Sequence, residues 1–213
     1  MNKSEFNPVL ANYLSSIKAE FKDIPAERIH ALQEIGNYIL EKEKNKEPAQ
    51  LTFICTHNSR RSHFGQVWAT TAARYYGINN IIAFSGGTES TALNPRAVEA
   101  FERAGFEASI LDENDGNPEY ALKGGVDFEI KPMWSKKYDD PRNPSAGFAA
   151  VMVCSDADEA CPFVPGAGAR FSIPYDDPGE FDGTPQETDK YDERCRQVAR
   201  EICHTMHYVK TNQ

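Results

Sequence analysis

Four short apolar runs, Leu51–Ile54, Ile81–Phe84, Ala149–Val153 and Phe171–Ile173, constrain this chain more than any other feature. Each has the length and β-leaning composition of a buried strand, and stretches of helical period stand between them. After the first run, Phe64, Val67, Trp68, Thr71, Ala72 and Tyr75 recur at helical spacing. The second is closed by Ser85-Gly86-Gly87; Asn94-Pro95 then opens a helix carrying Val98, Phe101 and Ala104, which Gly105 ends. A last helix carries Tyr191, Cys195, Val198, Ile202, Met206 and Val209. Strands alternating with helices predict an α/β fold, an open parallel sheet of about four strands with helices on both faces.

Residues 8–46 read as two further helices ahead of this unit. Val9, Leu10, Tyr13, Leu14, Ile17 and Phe21 gather on one face of the first. The second carries Ile29, Leu32, Ile35 and Ile39, and Pro25 suits its first turn, where a missing N–H costs nothing. The charged run from Glu41 to Glu47 reads as a solvated helix end and hinge. The chain therefore divides near Pro48 into an N-terminal helical extension, 1–48, and a main domain, 49–213. Residues 107–147 form an irregular insert with turn signals at Asp115-Gly116-Asn117-Pro118 and Gly124-Gly125. Within it, Glu119–Lys123 and Val126–Ile130 are expected to pair as a hairpin.

Composition removes several classes of function. A net charge of −9 with no basic run makes a poor nucleic-acid binder, because affinity for a phosphate backbone depends on clustered Lys and Arg. No apolar run approaches the ~20 residues of a membrane span, and residues 1–14 lack the basic-then-apolar pattern of a secretion signal. Five cysteines, an odd number in 213 residues, do not make a disulfide scaffold. Catalysis, redox or metal chemistry in a reducing cytoplasm is the expectation.

The chemistry centres on Cys55. A cysteine ends a strand, and Arg61 and Ser62 begin a helix after the five residues Thr56-His57-Asn58-Ser59-Arg60. Such a loop turns its N–H groups inward as an anion nest, and the helix N-terminus adds partial positive charge. Both favour a bound oxyanion and a thiolate at Cys55. Arg61 can hold two oxygens in a bidentate fork, and Ser62 can donate to the sulfur. Thr56, His57, Asn58, Ser59, Arg60, Arg61 and Ser62 are thus the candidate oxyanion-binding residues. The bland alternative is a buried structural cysteine beside surface arginines.

These residues, with Cys154-Ser155-Asp156-Ala157-Asp158-Glu159-Ala160-Cys161-Pro162 and Tyr175-Asp176-Asp177-Pro178, give a sequence that resembles the low-molecular-weight tyrosine phosphatase family. Within it, the likeness is to the thioredoxin-coupled arsenate reductases. Ser85-Gly86 and Asn94–Ala100 also match, and the resemblance spans about residues 50–205, outside the N-terminal helices. It implies catalytic roles for Cys55, Arg61, Ser62, Asp177, Cys154 and Cys161, with no cofactor and no metal. The residues alone leave Cys154 and Cys161 open between a redox relay, a metal site and structural thiols, although two cysteines seven apart fit no common zinc spacing. A disulfide between them requires the intervening segment to loop or rearrange. Asp177 alone reads as a turn residue; the resemblance makes it the proton donor, ahead of Asp176. Cys195 and Cys203 read as core thiols.

The sequence departs from the reductase loop in having His57 for a glycine and Arg60 for a second cysteine, so His57 is expected to carry any positive φ the glycine served. Gln66 stands where some members place a potassium-site acid, which argues against a bound potassium ion. The resemblance implies reduction of arsenate, with thioredoxin as reductant. A phosphatase acting on phosphate esters is the alternative, although Gly179 after Asp177-Pro178 replaces the aromatic residue typical of that family's acid loop.

Overall fold

The computed structural model describes residues 5–114 and 116–213, so Asp115 of the first turn signal lies outside the described residues. The N-terminal pattern folds into α1 (Pro8–Ile17), a 3₁₀ segment (Lys18–Asp23) and α2 (Ala26–Lys44). Asn7 caps α1 by accepting the Leu10 N–H, and Pro25 stands just before α2 as its N-cap. The main sheet consists of β1 (Ala49–Cys55), β2 (Ile81–Gly87), β6 (Phe148–Met152) and β7 (Ala167–Ser172), in the order β2-β1-β6-β7 and parallel throughout. Between and after these strands lie α3 (Arg61–Tyr76), α4 (Pro95–Ala104), the short α5 (Ser155–Ala160) and the long α6 (Glu187–Asn212). Gly105 ends α4 as expected: its φ is +112°, and a Cβ there would sit 2.6 Å from the Leu10 nitrogen.

Strand order explains the two helical faces. The step from β1 to β2 runs one way along the sheet and the step from β6 to β7 runs the other. Right-handed crossovers therefore put α3 and α5 on opposite faces. Phe53 packs under α3 at Gly65, and Phe171 meets Tyr38 of α2. On the opposite face Gly86 abuts the backbone of Tyr138. The direction of crossover reverses between β1 and β6. In open parallel sheets, ligands bind beyond the carboxyl ends of the strands at that reversal.

The insert is more ordered than the sequence suggested. The hairpin forms as β4 (Glu119–Gly125) and β5 (Phe128–Met133), and Glu107–Asp112 joins it as β3, making a three-stranded antiparallel sheet. Residues 107–112, read as irregular, are mostly exposed and show no alternation. Pairing with β4 makes this segment a strand. The charged run at 41–47 finishes α2 and turns directly into β1. The side chains of Leu10, Leu14, Ile17, Leu32, Ile35 and Ile39 join one continuous core with Phe53, Trp68 and Ile202.

Candidate active site

Parallel register brings the candidate residues together. Cys55 is the last residue of β1, and Cys154 follows β6, which pairs with β1 up to Ile54–Met152. The ladder continues one step further, with the Val153 N–H donating to the Ile54 carbonyl at 2.9 Å. Cys154 Sγ then lies 3.5 Å from Thr56 Oγ1. Beyond β7, the Tyr175 N–H bonds the Val153 carbonyl, which aligns Asp176 and Asp177 with the same edge. An open cleft of about 470 Å³ runs there between Arg60 and Arg61, the first turn of α5 at Ser155 and Asp156, and the acid segment at Asp177.

The surroundings of Cys55 are built by a directed hydrogen-bond chain. The Lys136 N–H donates to Asn58 Oδ1 at 2.8 Å, which fixes the amide so that Nδ2 donates to Ser62 Oγ at 2.8 Å. With that lone pair occupied, the Ser62 proton is free to point at Cys55 Sγ, 3.1 Å away. Asn58, not His57, carries the loop's positive φ, at +45°. Asn tolerates the left-handed region better than most residues. The His57 ring instead points outward, 3.8 Å from Glu89.

Beneath the loop, His63 is fully buried. Its Nε2 donates to the Asn58 carbonyl at 2.9 Å and its Nδ1 faces Ser85 Oγ at 3.4 Å. Burial first, and then the charge of Lys136, lower its pKa to about 3, against a smaller opposing effect of the Asn58 carbonyl, so the ring is neutral. Burial also lowers Lys136, to about 8. Its ammonium lies 4.3 Å from the Trp134 ring centroid, and Arg142 lies over the same ring at 3.6 Å.

The two arginines part company. Arg61 donates to Asp177 Oδ2 at 2.7 Å and to the Tyr175 carbonyl at 3.1 Å. Arg60 Nε donates to Tyr191 Oη at 2.7 Å and Nη2 to Asp182 at 3.2 Å, with Nη1 3.8 Å from Asp177 Oδ1. Its guanidinium lies so close over Gly179 that a Cβ there would be 2.6 Å from Cζ. Ser59 contributes its carbonyl, which accepts the Asn94 N–H at the start of α4.

Sequence reasoning missed the strap at residues 134–138. Ser135 Oγ donates to the His57 carbonyl at 2.9 Å and accepts the Thr91 N–H at 2.8 Å. The Gly87 N–H bonds the Lys136 carbonyl, and the Tyr138 N–H returns to the Gly87 carbonyl. Gly87 is hemmed in by backbone, since a Cβ would fall 2.6 Å from the Thr56 oxygen and 2.8 Å from the Asn58 nitrogen. The Ser85-Gly86-Gly87 run hinted at such an approach; Ser135 and Lys136 left no signal.

Cys161 stands apart. It caps the C-terminal end of α5, while Cys154 caps the N-terminal end with its sulfur accepting the Ala157 N–H at 3.4 Å. The intervening segment is helical, and seven residues of helix hold the two Cα atoms about 10 Å apart, so a disulfide requires it to rearrange. Burial pushes Cys195 and Cys203 up to about 12, so both stay thiols in the core.

No family model matches the chain. The arsenate reductase of Bacillus licheniformis is 26% identical over 144 residues, covering 68% of this chain and 84% of the relative. That of Bacillus subtilis is 28% identical over 149 residues with the same coverage. A solved structure of a YwlE mutant from Bacillus subtilis aligns with 76% of this chain and 99% of its own, with a TM-score of 0.50 and 16% identity. The chain has the low-molecular-weight phosphatase fold. The sequence likeness is to arsenate reductases, at under 30% identity. Here Cys55 ends β1, and Cys154 and Asp177 follow β6 and β7 in turn.

Proposed function

We propose that the chain reduces arsenate to arsenite, with Cys55 as nucleophile and Cys154 and Cys161 as a thiol relay. The observation that carries the reading is the second cysteine beside the loop, with Cys154 Sγ 3.5 Å from Thr56 Oγ1. Hydrolysis of an ester needs no such neighbour. The Cys55 thiolate attacks arsenic while Arg61 holds the equatorial oxygens, and an oxygen leaves as water with a proton from Asp177. In the resting site Arg61 is paired with Asp177. An oxyanion that takes over the arginine leaves Asp177 beside an anion, the arrangement a proton donor needs. Cys154 then attacks the Cys55 sulfur; the S–As bond breaks with its electron pair on arsenic, arsenite departs, and a Cys55–Cys154 disulfide remains. Cys161 attacks Cys154, frees Cys55 as a thiolate and moves the disulfide outward, where a dithiol protein such as thioredoxin reduces it in a reducing cytoplasm.

Hydrolysis of a phosphate monoester through a phosphocysteine is the second reading, because Cys55, Arg61 and Asp177 suffice for it. One preparation separates the two, assayed for arsenate-dependent thioredoxin oxidation and for aryl phosphate hydrolysis. Reduction predicts that Cys161→Ser releases one arsenite per enzyme and stalls as a Cys55–Cys154 disulfide. Hydrolysis predicts that both relay cysteines are dispensable and that all five thiols stay reduced during turnover.

A further inference from the structure

The relay helix α5 is held shut from β7. Arg170 and Ser172 are two residues apart on that strand, so they project from one face, and both reach Asp158. Arg170 Nη2 donates to the Asp158 carbonyl at 2.8 Å and to its carboxylate, while Nε donates to the Cys161 carbonyl at 3.3 Å. Ser172 Oγ takes the other carboxylate oxygen at 2.7 Å. Little else fastens the segment. From residue 155 to 163 only Ala157 is buried, and Phe163 is 76% exposed. Six residues of helix are too few to be stable unaided.

We propose that Arg170 is a positioning residue that sets how often α5 opens, and with it the rate at which Cys161 reaches Cys154. The inference rests on the relay reading. A disulfide needs Cα atoms within about 7 Å, so α5 must unwind. Unwinding pulls the Cys161 carbonyl and Asp158 away from Arg170. With the grip intact the reduced helix stays closed and Cys161 stays clear of Cys154. Once a Cys55–Cys154 disulfide has formed, release of the grip lets the Cys161 thiolate attack Cys154. The Cys55–Cys154 bond breaks, the Cys154–Cys161 bond forms and Cys55 leaves as a thiolate. The proton of Cys161 goes to solvent, and no further oxidant is consumed.

Two readouts test this on the full chain. The first is amide hydrogen exchange at Asp158 and Cys161 in the reduced protein. Arg170→Gln should speed it about tenfold, the loss expected of a charge-assisted contact. Ser172→Ala should speed it about threefold, and Arg170→Lys should fall between Arg170→Gln and the wild type. The second is the rate of Cys154–Cys161 disulfide formation with oxidised glutathione, read by alkylation and peptide mass; it should rise by the same factors. Unchanged exchange in Arg170→Gln, or faster exchange with an unchanged disulfide rate, overturns the proposal. Faster exchange with no Cys154–Cys161 disulfide in any variant supports the grip and overturns the relay instead. Ser172→Ala, which removes a single hydroxyl, keeps the test decisive if Arg170→Gln fails to fold.

Discussion

Arg60 and Arg61 are neighbours whose side chains do different work. Arg61 faces the nest and pairs with Asp177, so Arg61→Lys should cost about a hundredfold in kcat/KM, because a point charge cannot replace a planar fork. Arg60 ties the acid segment to α6 through Tyr191 and Asp182, so Arg60→Ala should cost about tenfold. A steady-state comparison of the two checks the ranking, and the reverse order would mean that Arg60 holds the anion. His63 gives a pH prediction. Its folded pKa is lowered from 6.5 to about 3, so the unfolded chain binds the extra proton between those values. The stability this neutral ring contributes is present above pH 6.5 and is lost as pH falls toward 3. Between pH 7 and pH 5 the loss should be about 2 kcal/mol. Denaturation midpoints at the two pH values should show that difference shrinking in His63→Gln.

At the level of elements, the Cys55 loop is held from both sides by segments distant in sequence. The β2–α4 connection takes the Cys55 and Thr56 carbonyls through the N–H groups of Thr88 and Glu89. The strap takes His57 and Asn58. Asn117 holds the strap in turn, donating to the Ser135 carbonyl at 2.8 Å and accepting its N–H at 3.1 Å. Asn117→Ala should therefore lower stability by about 1–2 kcal/mol. It should also lower kcat more than it raises KM, since a looser strap frees Asn58 and with it the direction of the Ser62 proton. Equal changes in both constants would place the strap's effect on substrate binding alone.

Across the whole molecule, the N-terminal extension and the insert support each other. Asn7 bridges them: its N–H donates to the Gly124 carbonyl of the insert and its Nδ2 to the Gly105 carbonyl at the end of α4. Glu5 pairs with Arg74 of α3. The Tyr13 ring stacks on Trp68 at 5.2 Å and 9°, with Arg196 over its other face. Extension and main domain should therefore unfold together. Fluorescence of Trp68 and Trp134 and far-ultraviolet circular dichroism should trace one coincident urea transition. Leu32→Ala should shift that transition by about 3 kcal/mol. Two separated transitions would restore the hinge that the charged run at 41–47 suggested.

The sequence by itself determined the alternation of strands and helices, the helix start at Asn94, and the Cys55 loop. Period, caps and turn residues act within a few positions of themselves, so each strand and helix start is legible locally, and alternating strands and helices imply a parallel sheet. Parallel pairing of β6 with β1 and of β7 with β6 then brought Cys154 beside Thr56 and Asp177 beside Arg61. The tertiary structure alone decided the rest. β3 is a strand only because β4 lies beside it. Asn58 takes the positive φ in a loop braced by a strap 78 residues away. Arg60 is drawn to Tyr191 across 131 residues, and Arg170 grips a helix whose own six residues would not hold it. A hydrogen bond between distant residues leaves no periodic trace in the sequence, because its geometry exists only once the surfaces that carry it have met.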